Sequence, residues 1–442
     1  MSRRKANVTL AKEDRPQMNE ESAKASSGIA LPSIRVPARL TFAALAAGLV
    51  AGLLISAGPA QEPVLAVAGP VGSLWLRGLQ MTIVPLVAGL LFTGIVQTVQ
   101  AAEAGIMARR TLALFAALLA LSTLMAALCV PLILRALPIP SRAAAALTGE
   151  ASTGTGTVPS LADVLASLVP ENVVAAAANG AVAPMIVFVA LFALAATRLP
   201  DLHRQRLTEL FAALAGAMMI VIGWVLALAP VGIFALALGV AARSGTAAIG
   251  ALAHYIAVVS SMGAIVLLAA YALAIFAARQ PPVRFARAVA PAQAVAFSTQ
   301  SSLASLPAML VACRELGLRE NRAEFVLPLA VALFRATSPA MNLAVAIYAA
   351  HLTGVQLSPA IIATGAGVAL LTTLGSVSLP GTISFVASVG PIALAMGVPL
   401  EPLALLVAVE MLPDIVRTVG NVTMDVAVAA TADRPAAARL SS

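Results

Sequence analysis

Charged residues are scarce here: Asp, Glu, Lys and Arg make up 10% of the 442 residues, against about 25% in soluble domains. So little charge cannot cover a water-facing surface, which excludes an ordinary soluble globule. Lysine is confined to Lys5, Lys12 and Lys24. The two cysteines, Cys129 and Cys313, lie near apolar segments and exclude a disulfide framework and a thiolate metal site. The three histidines, His203, His254 and His351, are scattered, with no Ser/His/Asp ordering that would suggest an enzyme. Aromatics are 4%. The net charge of +8 therefore does not suggest nucleic acid, because the basic residues stand at segment ends and not in a patch with aromatics. Ten-residue alternation is absent as well, so a barrel is excluded and helices remain.

What is present is apolar sequence. Hydrophobic residues make up 60% and the mean hydropathy is +0.98. The stretches 39–57 and 111–137 contain no acid and are long enough to span a bilayer core. The composition predicts an all-α membrane protein, with helices near 39–58, 74–99, 110–137, 172–198, 206–241 and 250–278. Arginine-bearing loops follow the second, fourth and sixth of these, whereas the connections 59–73 and 138–168 are nearly free of Lys and Arg. The positive-inside rule then puts both termini on the cytoplasmic side of a multi-pass protein of a bacterial inner membrane. Arg243 is the exception on the outer side. Residues 1–35 read as a disordered cytoplasmic tail and not a signal peptide, and 138–168 as a flexible external insertion.

The last third is punctuated differently. Its apolar runs are interrupted at Ser298-Thr-Gln-Ser-Ser-Leu-Ala-Ser-Leu-Pro307, Phe334-Arg-Ala-Thr-Ser-Pro339 and Gly375-Ser-Val-Ser-Leu-Pro-Gly381. An interruption at membrane depth frees backbone groups that survive only in protein or beside a wet cavity. The first and third clusters sit between short apolar arms, as in re-entrant hairpins, and each is followed by a long helix. Paired interrupted segments point to a transporter's binding site; ordinary Gly/Pro kinks in a bundle are the plain alternative. The last helix carries Glu410, Asp414, Arg417, Thr418, Asn421 and Asp425. Spacings of three and four align Asp414, Arg417, Thr418, Asn421 and Asp425 on one face. Charges at bilayer depth are costly, so such a stripe faces a ligand or, in the plainer reading, locks helices through an Asp–Arg pair.

Asp414-Ile-Val-Arg-Thr-Val-Gly-Asn-Val-Thr-Met-Asp425 closely resembles the last-helix signature of the dicarboxylate/amino acid:cation symporter (glutamate transporter) family. Ser301-Ser-Leu-Ala-Ser-Leu-Pro307 resembles its first hairpin tip and Leu379-Pro-Gly381 its second. Two further landmarks, 170–180 and 229–236, follow the family's order, so the resemblance covers roughly 36–431. It implies eight transmembrane helices and two re-entrant hairpins in an inverted-repeat fold. Residues 36–431 form the transporter domain, with a scaffold mainly at 39–99 and 172–241 and a transport part mainly at 110–137 and 250–431. Residues 432–442 read as a cytoplasmic C-terminal tail, and the resemblance implies a homotrimer in lipid.

By the same resemblance Arg417 grips a side-chain carboxylate, a contact suited to the guanidinium fork. Asp414 takes the α-ammonium group, Asn421 and the main chain near Ser302 the α-carboxylate, and Thr418 and Ser338 supply hydroxyls. Ser301, Leu379 and Gly381 belong to the hairpin tips that close over the substrate. No cofactor is implied. Asp425, Asn421, Thr373 and Ser376 remain as cation ligands, but the family's Asn and Asp in the broken helix are Phe334 and Ala336 here. Its polar ligands on the third helix fall in the apolar run Leu114-Phe-Ala-Ala-Leu-Leu119. Arg335 stands beside these losses as a tethered substitute for the cation, answered by Asp425.

The expected function is secondary transport of aspartate or glutamate by an elevator-type movement, coupled to protons or residual sodium. Carriage of C4-dicarboxylates or of neutral or sulfur amino acids is the alternative. A rival class is an anion-conducting protein or a non-transporting sensor, the latter disfavoured by the short polar stretch after the last helix.

Overall fold

The computed structural model describes residues 38–56, 58–103, 105–139, 166, 168–179, 181–375 and 381–433. The tail 1–35 and the greater part of 138–168 lie outside them. Among the described residues every regular element is a helix: α1 Ala38–Ile55, α2 Gln61–Glu103, α3 Ile106–Ala136, α4 Val173–Ala178, α5 Val182–Ala196, α6 Asp201–Ala227, α7 Ala229–Ser244 and α8 Ala247–Ala272. They continue as α9 Pro282–Thr299, α10 Ser302–Glu315, α11 Glu320–Leu333, α12 Ser338–Thr353, α13 Pro359–Gly375, α14 Gly381–Ala395, α15 Glu401–Val409 and α16 Met411–Ala432. A π-helical turn, Leu273–Ala277, extends α8. Among the described residues five segments are long and apolar enough to cross a membrane: Gln61–Glu103, Ile106–Ala136, Asp201–Ala227, Ile249–Ala277 and Glu320–Thr353.

Three boundaries differ from the sequence reading. The connection expected at 59–73 belongs to α2, a helix of 43 residues, about 64 Å at 1.5 Å per residue. Pro70 lies inside it, as membrane helices tolerate proline. The single helix expected at 206–241 is two, because Pro230 in the first turn of α7 cannot donate to the preceding turn. The stretch 172–198 likewise divides into α4 and α5.

Packing follows the small residues. α1 lies against α7 so closely that a Cβ on Gly52 would stand 2.5 Å from the Leu238 carbonyl oxygen. α2 packs on α5, α6 and α7, and its Trp75 indole donates to the Val225 carbonyl in the last turn of α6 at 2.9 Å. The C-terminal elements gather round α16, which packs on α8, α9, α10 and α11. α9 and α10 fold against each other across Gln300-Ser301, where Gln300 is left-handed (φ 51°) and Ser301 caps α10 by accepting from the Ala304 amide. α13 and α14 form a second packed pair.

Candidate functional site

The site begins with the break between α11 and α12. Phe334 is extended (φ −117°, ψ 98°) and ends α11, while Pro339 sits in the first turn of α12, where a missing N–H costs nothing. The intervening backbone groups find partners from two other helices. Asn421 Oδ1 accepts from the Thr337 amide at 3.0 Å, and the Ser122 hydroxyl of α3 donates to the Ala336 carbonyl at 2.6 Å. The Thr337 hydroxyl lies 2.9 Å from Asn421 Oδ1 and 3.0 Å from the Arg417 carbonyl, and can donate to one at a time. This approach needs glycine: a Cβ on Gly420 would stand 2.6 Å from Thr337 Cγ2. The apolar run at Leu114–Leu119 thus stops one turn short of a hydroxyl that does reach the break.

Arg417 is the largest fully buried side chain among the described residues, with 0% exposure. Its Nη1 lies 2.6 Å from Glu410 Oε1 and donates to Asp414 Oδ1 at 3.2 Å. The Glu410 contact is an ion pair off the N–H axis, so Oε1 makes no hydrogen bond. Glu410 Oε2 accepts from the Tyr255 hydroxyl of α8 at 3.1 Å. One nitrogen therefore serves two carboxylates, while Nε and Nη2 have no hydrogen-bond partner. Nε and Nη2 form one edge of the guanidinium, the edge that takes a carboxylate side-on in two parallel bonds.

Further along α16, Asp425 is 1% exposed and neither carboxylate oxygen makes a hydrogen bond. The half-buried Arg335 guanidinium, in the break, acts electrostatically on both Asp414 and Asp425. Beside it Phe334 stacks on Phe115 of α3, with centroids 4.4 Å apart and planes 9° from parallel. The two aromatic departures noted in the sequence are therefore one contact. Truncating either ring is expected to destabilise the protein by about 3–5 kcal/mol. A double-mutant cycle of Phe115→Ala and Phe334→Ala in thermal unfolding should return a coupling of about 0.5–1.5 kcal/mol. Additive losses would show that the rings act independently.

Most of the buried side-chain atoms without a hydrogen bond among the described residues belong to Glu410, Arg417, Asn421 and Asp425. Such atoms each cost on the order of 1–3 kcal/mol, more when charged. A purely structural helix lock has no reason to gather them on one face beside a broken helix. Residues 38–434 match the model of the sodium:dicarboxylate symporter family.

The chain belongs to that family.

Among its relatives is the proton/glutamate-aspartate symporter of Escherichia coli (strain K12), 27% identical over 80% of this chain and 82% of the relative. The proton/sodium-glutamate symport protein of Bacillus subtilis (strain 168) is 24% identical over 86% of this chain and 88% of its own. The neutral amino acid transporter B(0) of Oryctolagus cuniculus is 27% identical over 87% and 77%.

Within this symporter-family chain the remaining predicted residues fall out as follows. Ser338 is buried at the start of α12 with its hydroxyl unpartnered, and the Thr418 hydroxyl donates to the Asp414 carbonyl at 2.9 Å. Thr373 is buried and donates to Ala369 O at 2.7 Å. Neither Ser301 nor Ser302 hydrogen-bonds to a side chain of α16, although α10 packs along that helix. Gly381 opens α14, whereas Ser376 and Leu379 lie outside the described residues. Two residues were missed as site members. Glu410 was noted but given no role, and Tyr255 lies on an apolar helix with no local signal to set it apart from Tyr271.

Proposed function

We propose that the protein is a secondary active transporter carrying aspartate or glutamate across a bacterial inner membrane without the family's usual sodium sites. One observation carries this reading: a wholly buried Arg417 whose Nη1 is held by protein carboxylates while its Nε–Nη2 edge has no partner. That edge grips the substrate's side-chain carboxylate. Asp414 receives the α-ammonium group, Asn421 and the tip around Ser301 and Ser302 the α-carboxylate, and Thr418 and Ser338 give hydroxyls. Leu379 and Gly381 belong to the second tip, with Thr373 and Ser376 beside the cation position. The first two relatives are named for glutamate or aspartate, which accords with an acidic substrate.

The movement is of elevator type, in a homotrimer with eight transmembrane helices and two hairpins, both termini cytoplasmic. The supporting feature is the packing, with α7 against α1 and α2 and α2 against α6, while α8 to α11 gather round α16 and α12 packs on α3. The scaffold comprises 39–99 and 172–241, and the carrying part 110–137 and 250–431. Arg335 takes the place of a cation opposite Asp425, which leaves protons or exchange to drive transport.

The test is uptake of labelled aspartate, glutamate and succinate into proteoliposomes, with proton, sodium and potassium gradients imposed separately. Aspartate or glutamate should accumulate without a sodium gradient. Preference for succinate or for neutral amino acids would replace the acidic amino-acid reading. In Asp414→Ser, amino-acid uptake should fall at least about thirtyfold, a loss of some 2 kcal/mol for an unpaired buried charge, with succinate spared. Equal loss of both substrates would make Asp414 structural.

A further inference from the structure

The ion cluster on α16 does not balance. The acids are Glu410, Asp414 and Asp425 and the cations Arg417 and Arg335, an excess of one negative charge when all are ionised. An acidic amino acid at neutral pH brings one more. Two uncompensated negative charges in a buried site are strongly disfavoured, so the loaded state calls for a proton. The question is which carboxylate takes it.

The contacts separate the three acids. Asp425 and Asp414 both feel Arg335, and Asp414 also accepts a hydrogen bond from Arg417. Glu410 has Arg417 as its cation, held through Oε1 at 2.6 Å with no in-line hydrogen bond. The other groups facing it are few. Tyr255 comes from α8, with the Tyr348 ring of α12 edge-on behind it at 5.4 Å between centroids. Asp414 lies on the same helix. Residues 402–409 of α15 and all of α13 and α14 carry no titratable side chain. When a substrate carboxylate draws on the Arg417 guanidinium, Glu410 thus loses its share of that charge with no second cation near it.

We propose that Glu410 is the proton-binding residue of the transport cycle, pairing with Arg417 in the empty site and neutral in the substrate-loaded one. The proton adds to Oε1, the oxygen facing Arg417, while Oε2 continues to accept from the Tyr255 hydroxyl. That bond is kept in both states, so the side chain gains and loses its charge without turning. One proton is taken up with each substrate from the side to which the site is open and released with it on the other. The inference rests on the acidic amino-acid reading above and assigns its coupling ion to a residue.

The test is binding of labelled aspartate to purified protein across a pH series, with proteoliposome counterflow as the check on folding. In the wild type, affinity should fall by about tenfold for each unit of rising pH on the alkaline side, the slope of one linked proton. Glu410→Gln should bind at every pH with the affinity the wild type reaches on the acid side, with no pH slope. It should retain counterflow and lose accumulation driven by a pH gradient. A wild-type slope persisting in Glu410→Gln overturns the proposal, and so does a wild type without a slope. Should Glu410→Gln not fold, Tyr255→Phe decides: the slope should persist with its midpoint moved by about one pH unit, the worth of a hydrogen bond to a charged group. An unmoved midpoint overturns the assignment. Failure of the wild type to bind aspartate at any pH would instead remove the substrate reading itself.

Discussion

Replacing Arg417 by alanine is expected to weaken aspartate binding by at least about a hundredfold, the scale for removing one partner of a buried charge pair. The substitution also leaves Glu410 and Asp414 buried against each other without their shared guanidinium, a further cost of about 3–5 kcal/mol in stability. Loss of binding alone could therefore reflect loss of fold. The double variant Arg417→Met with Glu410→Gln separates the two, since it withdraws one charge of each sign and keeps most of the volume. Its melting temperature should stay closer to the wild type than that of Arg417→Ala, and its aspartate binding should still be absent. Arg417→Cys, with a small uncharged side chain, should begin to admit neutral amino acids. Aspartate affinity unchanged in all three would end the assignment of the site.

The second large effect is a gain. The wild type should accumulate substrate with no sodium gradient, and the triple change Phe334→Asn, Arg335→Met, Ala336→Asp should make uptake depend on sodium. Each component has a local reason. The first breaks the stack with Phe115 and puts an amide oxygen in the space of a ring. The second withdraws the guanidinium that acts on Asp425. The third adds a carboxylate where the Ser122 hydroxyl already reaches the backbone. Asn421 lies one hydrogen bond away, at Thr337. Sodium sites in such carriers are assembled from unwound backbone and side-chain oxygens, and these changes raise the oxygen count while removing the competing cation. Wild-type uptake that already requires sodium would disprove the substitution of ion by arginine.

The break at Phe334–Thr337 and the turn at Gln300-Ser301 were legible because their causes are local: proline, hydroxyl residues and glycine placed within an apolar run. The stripe on α16 was legible for a related reason, since three- and four-residue spacing fixes a helix face whatever surrounds it. What could not be read was the pairing across sequence. Phe115 and Phe334 were each seen as a lost ligand, and nothing in either neighbourhood says that the rings meet. Ser122 and Ala336 are 214 positions apart, Tyr255 and Glu410 155. Glu410 itself stands at the junction of α15 and α16, one turn before the signature stripe, so its side chain fell outside the pattern that drew attention to Arg417. The helix boundaries at 59–73 and 206–241 turn on proline, which is tolerated inside α2 and decisive at the start of α7.

The charged face of α16 also bears on how the protein is made. Asp414, Arg417 and Asp425 lie within its 22 residues, and each costs about 2.5–3.5 kcal/mol when a lone helix enters a bilayer at its centre. Their sum, on the order of 9 kcal/mol, offsets much of what the apolar residues of the helix gain. Groups that relieve the cost, Arg335 in the break and Glu410 one turn before the stripe, leave the ribosome earlier. α16 thus inserts into a place already prepared by the chain before it.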